Sequence, residues 1–487
     1  MNGSCTRSDR HRRMPAMIRS LLIVPVLVAL GACSQEEQRP NVILISIDSL
    51  RADHVGCYGY ERPTTPNLDR FAAEGVRFNE HISSSSWTLP AHASLFTSVP
   101  DSVHGCVESD GVALSPQFTT LAERFKSGGY STAGFYAGPY LHGAFGLGQG
   151  FDEYRYVAED AAEFSAAEVK RWGLDPRAHA RTHKGVTNPQ VHEAASAWLA
   201  KQDGPFFLFL HFWDVHYDFT PPAPWDTRFN PGYSGPVTGE NFFFDRSIRP
   251  DMPAADRQQL LALYDGEVGW TDSFLGHLRG RLEELGLDDN TVLAITSDHG
   301  TEFFDHGGKG HRTTLYEELI RVPFVLWYPT SLEAAVVDVQ TRSIDVGPTL
   351  LELADLAPAS DSSAFSLLDL ARGGALEFDN LAISELYSVG NRLRSVRDGR
   401  AKVLLDENQP EAPLRWYDLS LDPSEQRARR DFEEGAGQMA HQSFLKAQAQ
   451  LLEAVSARPG APTSASLPPS VLEALRANGY LGSGDGD

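Results

Sequence analysis

The strongest constraint on how this chain folds is its alternation of short, uniformly apolar runs with stretches of helical period. Asn41-Val-Ile-Leu-Ile-Ser-Ile47 is rich in β-branched residues and reads as a strand buried on both faces. Thr132–Ala137, Phe206–Leu210, Thr291–Thr296 and Pro323–Trp327 read the same way. Thr65–Gly75, Thr119–Ser127, Val191–Lys201 and Leu260–Leu285 carry apolar residues at helical spacing. This order predicts an α/β fold with a large mixed, mainly parallel sheet sandwiched by helices. The chain has 487 residues, more than one core usually organises. From about residue 375 the strands shorten and a late helix follows at Pro468–Ala477. Residues 41–372 are therefore expected to form the large domain and 373–487 a small C-terminal α+β subdomain. Phe219–Arg249 reads as a long surface loop, and Gln409–Pro413 and Ala457–Pro469 as linkers.

The N-terminus is set apart. Arg7, Arg10, Arg12, Arg13 and Arg19 precede an apolar run, Leu21–Leu30, and then Leu30-Gly31-Ala32-Cys33. This is the order of a lipoprotein signal, residues 1–32, with Cys33 as the lipidated residue and 33–40 as a tether. The expected location is the periplasmic side of a bacterial membrane, held by that anchor. Removing five Arg and Asp9 takes the formal charge from −23 to −27. Such acidity argues against nucleic acid as a partner. A small anionic substrate has to be drawn in by local metal, Lys and His charge. Of four cysteines, Cys57 and Cys106 remain after Cys5 and Cys33 are accounted for, either as a disulfide or as free buried thiols.

Three groups of residues carry chemistry. Asp48 and Asp298 stand at the carboxyl ends of strands, where ligands gather in such sheets. With His299 they form a set able to share a divalent ion. Oxygen with imidazole suits zinc or manganese, and an all-oxygen set suits calcium or magnesium. One ion and two ions are both open. Thr88 lies ahead of the helical stretch Ala91–Phe96, as a cap or as a hydroxyl poised for attack beside a metal. His211, Asp214 and His216 follow the third strand, and His306, Lys309 and His311 lie in a glycine-rich run. Histidines there suit proton transfer or metal binding, and Lys309 suits an anionic oxygen.

Ile45-Ser-Ile-Asp-Ser-Leu-Arg-Ala-Asp-His-Val-Gly-Cys-Tyr-Gly59 resembles the opening metal strand and loop of bacterial sulfatases. Thr65-Pro-Asn-Leu-Asp-Arg70, Trp87-Thr-Leu-Pro-Ala-His92, Gly129-Tyr-Ser-Thr-Ala133, Gly150-Phe-Asp-Glu-Tyr154, Thr296-Ser-Asp-His-Gly300, Arg321-Val-Pro323, Ile344-Asp-Val-Gly-Pro-Thr349 and Trp416–Glu425 continue the likeness in order. The resemblance implies the fold expected above and a divalent metal ion held by Asp48, Asp298 and His299. It places residue 88 as nucleophile and fourth contact. His216 and Lys309 would touch the ester, one of them protonating the leaving group. His211 and His311 follow as substrate contacts, with a second metal as the alternative for His311.

The departures from the family pattern bear on the reaction. Sulfatases carry Cys or Ser, then x-Pro-x-Arg, and oxidise the first residue to formylglycine. Here Thr88 stands in that place and His92 replaces the Arg. Ser49 replaces a second acid beside Asp48. A formylglycine hydrate expels sulfate by hemiacetal collapse, and a threonine ester cannot. The expected activity is therefore a metal-dependent ester hydrolase on phosphate or sulfate esters, phosphoester favoured. The substrate would be a small-molecule, glycan or lipid-headgroup anionic ester. Sulfuric-ester hydrolysis, headgroup transfer and non-catalytic binding of anionic glycans stand as rivals.

Overall fold

The computed structural model describes residues 39–107, 111–157, 170–172, 186–357, 363–376, 380–388, 390–409, 411, 414–477 and 480. The expected signal segment, Cys33 and the tether as far as Gln38 lie outside the described residues. Arg39–Asp487 forms one compact unit. Among the described residues no helix is long and apolar enough to cross a membrane.

A nine-stranded sheet runs through this unit. Asn41–Ile47 lies at its centre, flanked in parallel by Phe206–Phe212 and Thr291–Thr296. Beyond Phe206–Phe212 come Ser131–Tyr136 and Glu153–Tyr156, also parallel. On the other side Arg321–Trp327 is antiparallel to both of its neighbours, Thr291–Thr296 and Val76–Ile82. The short strands Ala335–Val337 and Thr341–Arg342 finish that edge in parallel. The sheet is thus mixed and mainly parallel.

Period-two alternation divides each strand between two cores. Val42 and Leu44 join one apolar cluster with Phe207, Phe209, Val292 and Ala294. Ile43, Ile45 and Ile47 join the other with Leu208, Leu210, Leu293 and Ile295. Helices cover both faces, so the first strand is buried at every position. Each such side chain contributes about 1.5–3 kcal/mol when withdrawn from water.

Several local readings are sharpened by the structure. The third strand extends to Phe212, which pairs with Ile47, so His211 lies within a strand and not after one. Helix Pro66–Glu74 is capped from outside. The carboxylate of Asp272, on the long helix Ala254–Leu285, accepts from the backbone N–H of Asn67 and Leu68 at 2.9 and 2.8 Å. Those donors are orphans of the first helical turn. Cys57 and Cys106 are free thiols.

The C-terminal region carries a separate four-stranded antiparallel sheet, Ala382–Ser388, Asn391–Asp398, Ala401–Asp406 and Leu414–Asp418. Helix Gly435–Ala457 closes it, packing Ala440, Phe444 and Ala447 on Leu381, Val396, Val403 and Trp416. Of the stretch read as the linker Gln409–Pro413, only Gln409 and Glu411 are among the described residues, and the strands on either side of it, Ala401–Asp406 and Leu414–Asp418, pair with each other. Ala457–Pro469 returns the chain to the large sheet's side of the molecule, where Thr463–Ser464 pairs with Val112–Ala113.

Candidate active site

The site forms where the central strands end. Asp48 follows Ile47, and Asp298 and His299 follow the neighbouring strand by two and three residues. His211 projects from the strand on the opposite flank, paired in register with Ser46. The loops that present the acids are cross-tied. Ser49 takes a left-handed backbone, φ 59°, and its N–H donates to Asp298 Oδ1 at 3.2 Å. Its hydroxyl donates to Asp48 Oδ1 at 2.7 Å. Ser49, which replaces a second acid beside Asp48, thereby ties both carboxylates. Tyr264 steadies the same turn, donating to the Ser49 carbonyl and accepting from Arg51 N–H, each at 2.9 Å.

Thr88 is the first residue of helix Thr88–Thr97, and Trp87 holds the cap position. The hydroxyl does not cap the helix. It points across to the acids, 3.4 Å from Asp48 Oδ2 and 3.4 Å from His299 Nε2. His299 donates from Nδ1 to the Gly300 carbonyl at 2.8 Å, which leaves Nε2 as the open nitrogen toward Thr88. His92 sits one turn on. Its Nδ1 donates to the Thr88 carbonyl at 2.8 Å, and its Nε2 accepts from Ser46 at 2.9 Å. Both its nitrogens are engaged, so it braces the Thr88 turn.

Asp48, Asp298 and His299 bring ligand atoms within 4.8 Å of one another, and so do His92, His211 and Asp298. Among the described residues, Asp298 Oδ2 and both ring nitrogens of His211 are buried without a hydrogen-bond partner. His211 Nε2 lies 3.3 Å from Asp48 Oδ2. Two buried carboxylates facing one another, with unpaired imidazole nitrogens beside them, is an arrangement that a divalent cation relieves. Burial and the charge of Asp48 both push the Asp298 carboxyl up. Burial pushes His92 and His211 down to about 4 and keeps both neutral, and for His211, whose nitrogens are unpaired, that is the form that ligates metal. The residues fit a metal ion, and His211, expected as a substrate contact, stands within ligand reach of the same acids.

His216 and His311 stand above this floor. Their ring centres are 5.0 Å apart, and His311 is 4.5 Å from His299. Other sequence candidates are placed elsewhere. Lys309 donates to the carbonyls of Phe242, Asp245 and Ile248 at 2.7, 3.3 and 3.1 Å, so its ammonium serves the long loop. Asp214 accepts from Thr187, Asn188 and Trp270 and is a structural acid. His306 pairs with Glu318 at 2.7 Å and stacks on Tyr316.

Two residues enter that sequence reasoning did not single out. Arg312 lies over the rings of Trp87, Tyr140 and Tyr480, at 4.6, 5.7 and 5.3 Å, with a left-handed φ of 65°. The only sequence signal for it was a second basic residue directly after His311 in the glycine-rich run. Tyr480 arrives from the far end of the chain, and nothing near it in sequence hinted at the site.

The sulfatase family model matches residues 40–356, a span that holds every site residue above except Tyr480. The uncharacterized sulfatase YidJ of Escherichia coli strain K12 is 26% identical over 380 residues, covering 71% of this chain and 74% of that relative. The ulvan-active sulfatase of Formosa agariphila is 26% identical over 416 residues, covering 80% of this chain and 77% of its own length. In fold, the chain is similar to the phosphonate monoester hydrolase of Agrobacterium radiobacter. The TM-score is 0.68 at 22% identity, over 88% of this chain and all of that one. A family match that spans the whole metal-facing floor settles the assignment: the chain belongs to the sulfatase family and is an ester-hydrolysing enzyme.

Proposed function

We propose that this enzyme cleaves anionic esters by attack of the Thr88 hydroxyl, with phosphate-type esters favoured over sulfate esters. The observation that carries the reading is the position of Thr88 Oγ1, at a helix start and 3.4 Å from both Asp48 and His299. Asp48, Asp298, His299 and His211 would hold a divalent cation, which supplies Lewis-acid charge beside the hydroxyl when bound. The backbone N–H groups of Thr88 and Leu89, ahead of Pro90, would suit the non-bridging oxygens of the ester. Arg312, stacked over Trp87 beside Thr88, would add a full positive charge for the ester's anionic oxygens.

The favoured ester follows from the nucleophile. As Thr88 Oγ1 bonds to phosphorus, the ester P–O bond breaks and the departing alkoxide takes up a proton. Water then cleaves the phospho-threonine by a second displacement at phosphorus. A sulfo-threonine lacks the second hydroxyl by which a formylglycine hydrate expels sulfate. Sulfate-ester hydrolysis remains the second reading because the relatives above are named as sulfatases. Export and lipidation at Cys33 belong to the same proposal, on the strength of Leu30-Gly31-Ala32-Cys33. Palmitate labelling that survives Cys33→Ser would remove that part.

The test is initial rates on matched aryl phosphate, phosphodiester, phosphonate and sulfate esters, for the wild type and for Thr88→Ala and Thr88→Ser. Phosphorus-ester turnover that falls by at least about 10³-fold in Thr88→Ala and partly returns in Thr88→Ser supports the reading. Sulfate turnover untouched by either change overturns it in favour of water attack.

A further inference from the structure

We propose that Tyr480 is a positioning residue of the active site, supplied by the C-terminal segment, which fixes His216 and His311 through its hydroxyl. The inference deepens the ester-hydrolase reading above and rests on it for its kinetic part.

The hydrogen bonds define the role. His216 Nδ1 lies 2.7 Å from the carbonyl of Tyr217, and a carbonyl only accepts, so this nitrogen carries the proton. In the neutral ring Nε2 is then a bare acceptor. Tyr480 Oη lies 2.5 Å from it and donates to it. The phenol oxygen keeps lone pairs, and His311 Nε2 stands 3.4 Å away as the donor that can reach them. One hydroxyl therefore ties two histidines into a single file with defined tautomers. His311 Nδ1 has no partner among the described residues, so this contact is its one side-chain hydrogen bond.

The ring works on a second neighbour. It stands edge-on to Tyr140 with centres 4.8 Å apart, and the Arg312 guanidinium lies 5.3 Å from its centre. Tyr480 thus closes an aromatic wall around the Arg312 guanidinium, with Tyr140 and Trp87 on its other sides.

The segment that delivers it is anchored. Thr463–Ser464 pairs with Val112–Ala113, and helix Pro469–Ala477 buries Val471 and Leu475 completely. The Tyr480 N–H donates to the Leu475 carbonyl at 2.9 Å. A chain end that served only to fill space needs neither a hydroxyl nor two histidine partners. The catalytic floor is built within residues 48–312, and its upper wall is complete only when residue 480 returns to it.

The test uses the full chain and Tyr480→Phe, which keeps the ring. On the best-turned-over aryl ester, kcat should fall about tenfold with KM within about twofold, the size of one lost hydrogen bond. In a His216→Ala background the same change should have almost no further effect, because the two residues act as one unit. Nitrogen-15 spectra of selectively labelled histidine should show the His216 Nε2 and His311 resonances moving in Tyr480→Phe, with the melting temperature changed by no more than about 2 °C. Unchanged kcat, additive effects in the double variant, or unmoved histidine resonances would overturn the proposal. If the wild type turns over none of the esters, the hydrolase reading is what fails, and the histidine resonances alone decide the role of Tyr480.

Discussion

The guanidinium carbon of Arg312 lies 4.6 Å from the centre of the Trp87 indole, and Trp87 is the residue immediately before Thr88. The link is reinforced through the backbone. Arg312 N–H donates to the Ser86 carbonyl at 3.1 Å, while Ser388 and Asn391 of the C-terminal sheet donate to the Arg312 carbonyl. A left-handed non-glycine residue costs on the order of 1 kcal/mol, and here three hydrogen bonds hold it. Arg312→Ala should raise KM for an anionic ester about tenfold or more, with stability changed by less than about 1 kcal/mol. Arg312→Lys should recover part of the loss. Steady-state kinetics at two salt concentrations checks this, and an unchanged KM would remove Arg312 from substrate binding.

Asp298 sits in both ligand groups, and among the described residues its Oδ2 accepts no hydrogen bond, with His299 Nε2 3.4 Å away. Asp298→Asn should therefore release the metal and abolish turnover while the fold persists, since relieving like-charge burial offsets the lost contacts. Metal analysis by mass spectrometry, alongside circular dichroism, separates the two effects. Retained stoichiometric metal would take Asp298 off the ligand list.

The strands and the metal-facing acids were legible in the sequence for one physical reason. A strand buried on both faces must be apolar at nearly every position, so the first charge after Ile47 marks where the sheet ends, and there Asp48 stands. Beyond Thr291–Thr296, Asp298 and His299 follow by the same logic. The direction of a loop side chain has no such signature. Lys309 looked like an anion contact, yet the long loop turns three carbonyls toward its ammonium. Tyr480 was hidden for another reason, since its contact with His216 spans 264 residues. The helix Gly435–Ala457 escaped notice because alanine and glutamine dilute its apolar stripe.

Lys309 therefore has a different prediction from the one its sequence context suggests. Lys309→Ala leaves the Phe242, Asp245 and Ile248 carbonyls without their shared donor. The loss should be about 1–3 kcal/mol of stability, local to that loop, with kcat changed by less than about tenfold. Denaturant titration and hydrogen exchange over residues 242–248 measure it. A collapse of kcat with stability intact would restore Lys309 to the catalytic set.

Lys402 is fully buried between Glu425 at 2.8 Å and Glu317 at 3.2 Å, and it joins the C-terminal sheet to the loops that follow the site. Lys402→Ala would strand the buried carboxylate of Glu425 and leave Glu317 to Arg397 at 3.3 Å. The expected cost is about 3–5 kcal/mol, larger than for any surface pair in the molecule. Urea unfolding checks it, and a cost below about 1 kcal/mol would show that the carboxylates are neutral in the native state.

His306 gives a prediction with a defined pH sign. Burial alone would lower its pKa, but the hydrogen bond and charge of Glu318 at 2.7 Å outweigh it, and the imidazole is held above its ordinary value. The folded state therefore holds this proton more tightly than the unfolded chain. The resulting stability is fully present below about pH 6.5 and is lost as pH rises through the folded-state value. His306→Gln removes the titration. It also removes the stack on Tyr316, a loss that does not vary with pH. The stability gap between wild type and His306→Gln should thus shrink from about pH 6 to about pH 9, by at most about 1 kcal/mol because the pair is partly solvated. Guanidinium unfolding at the two pH values measures the gap. A gap that stays constant would mean that His306 is neutral throughout, and a gap that widens with pH would reverse the assigned charge state of the pair.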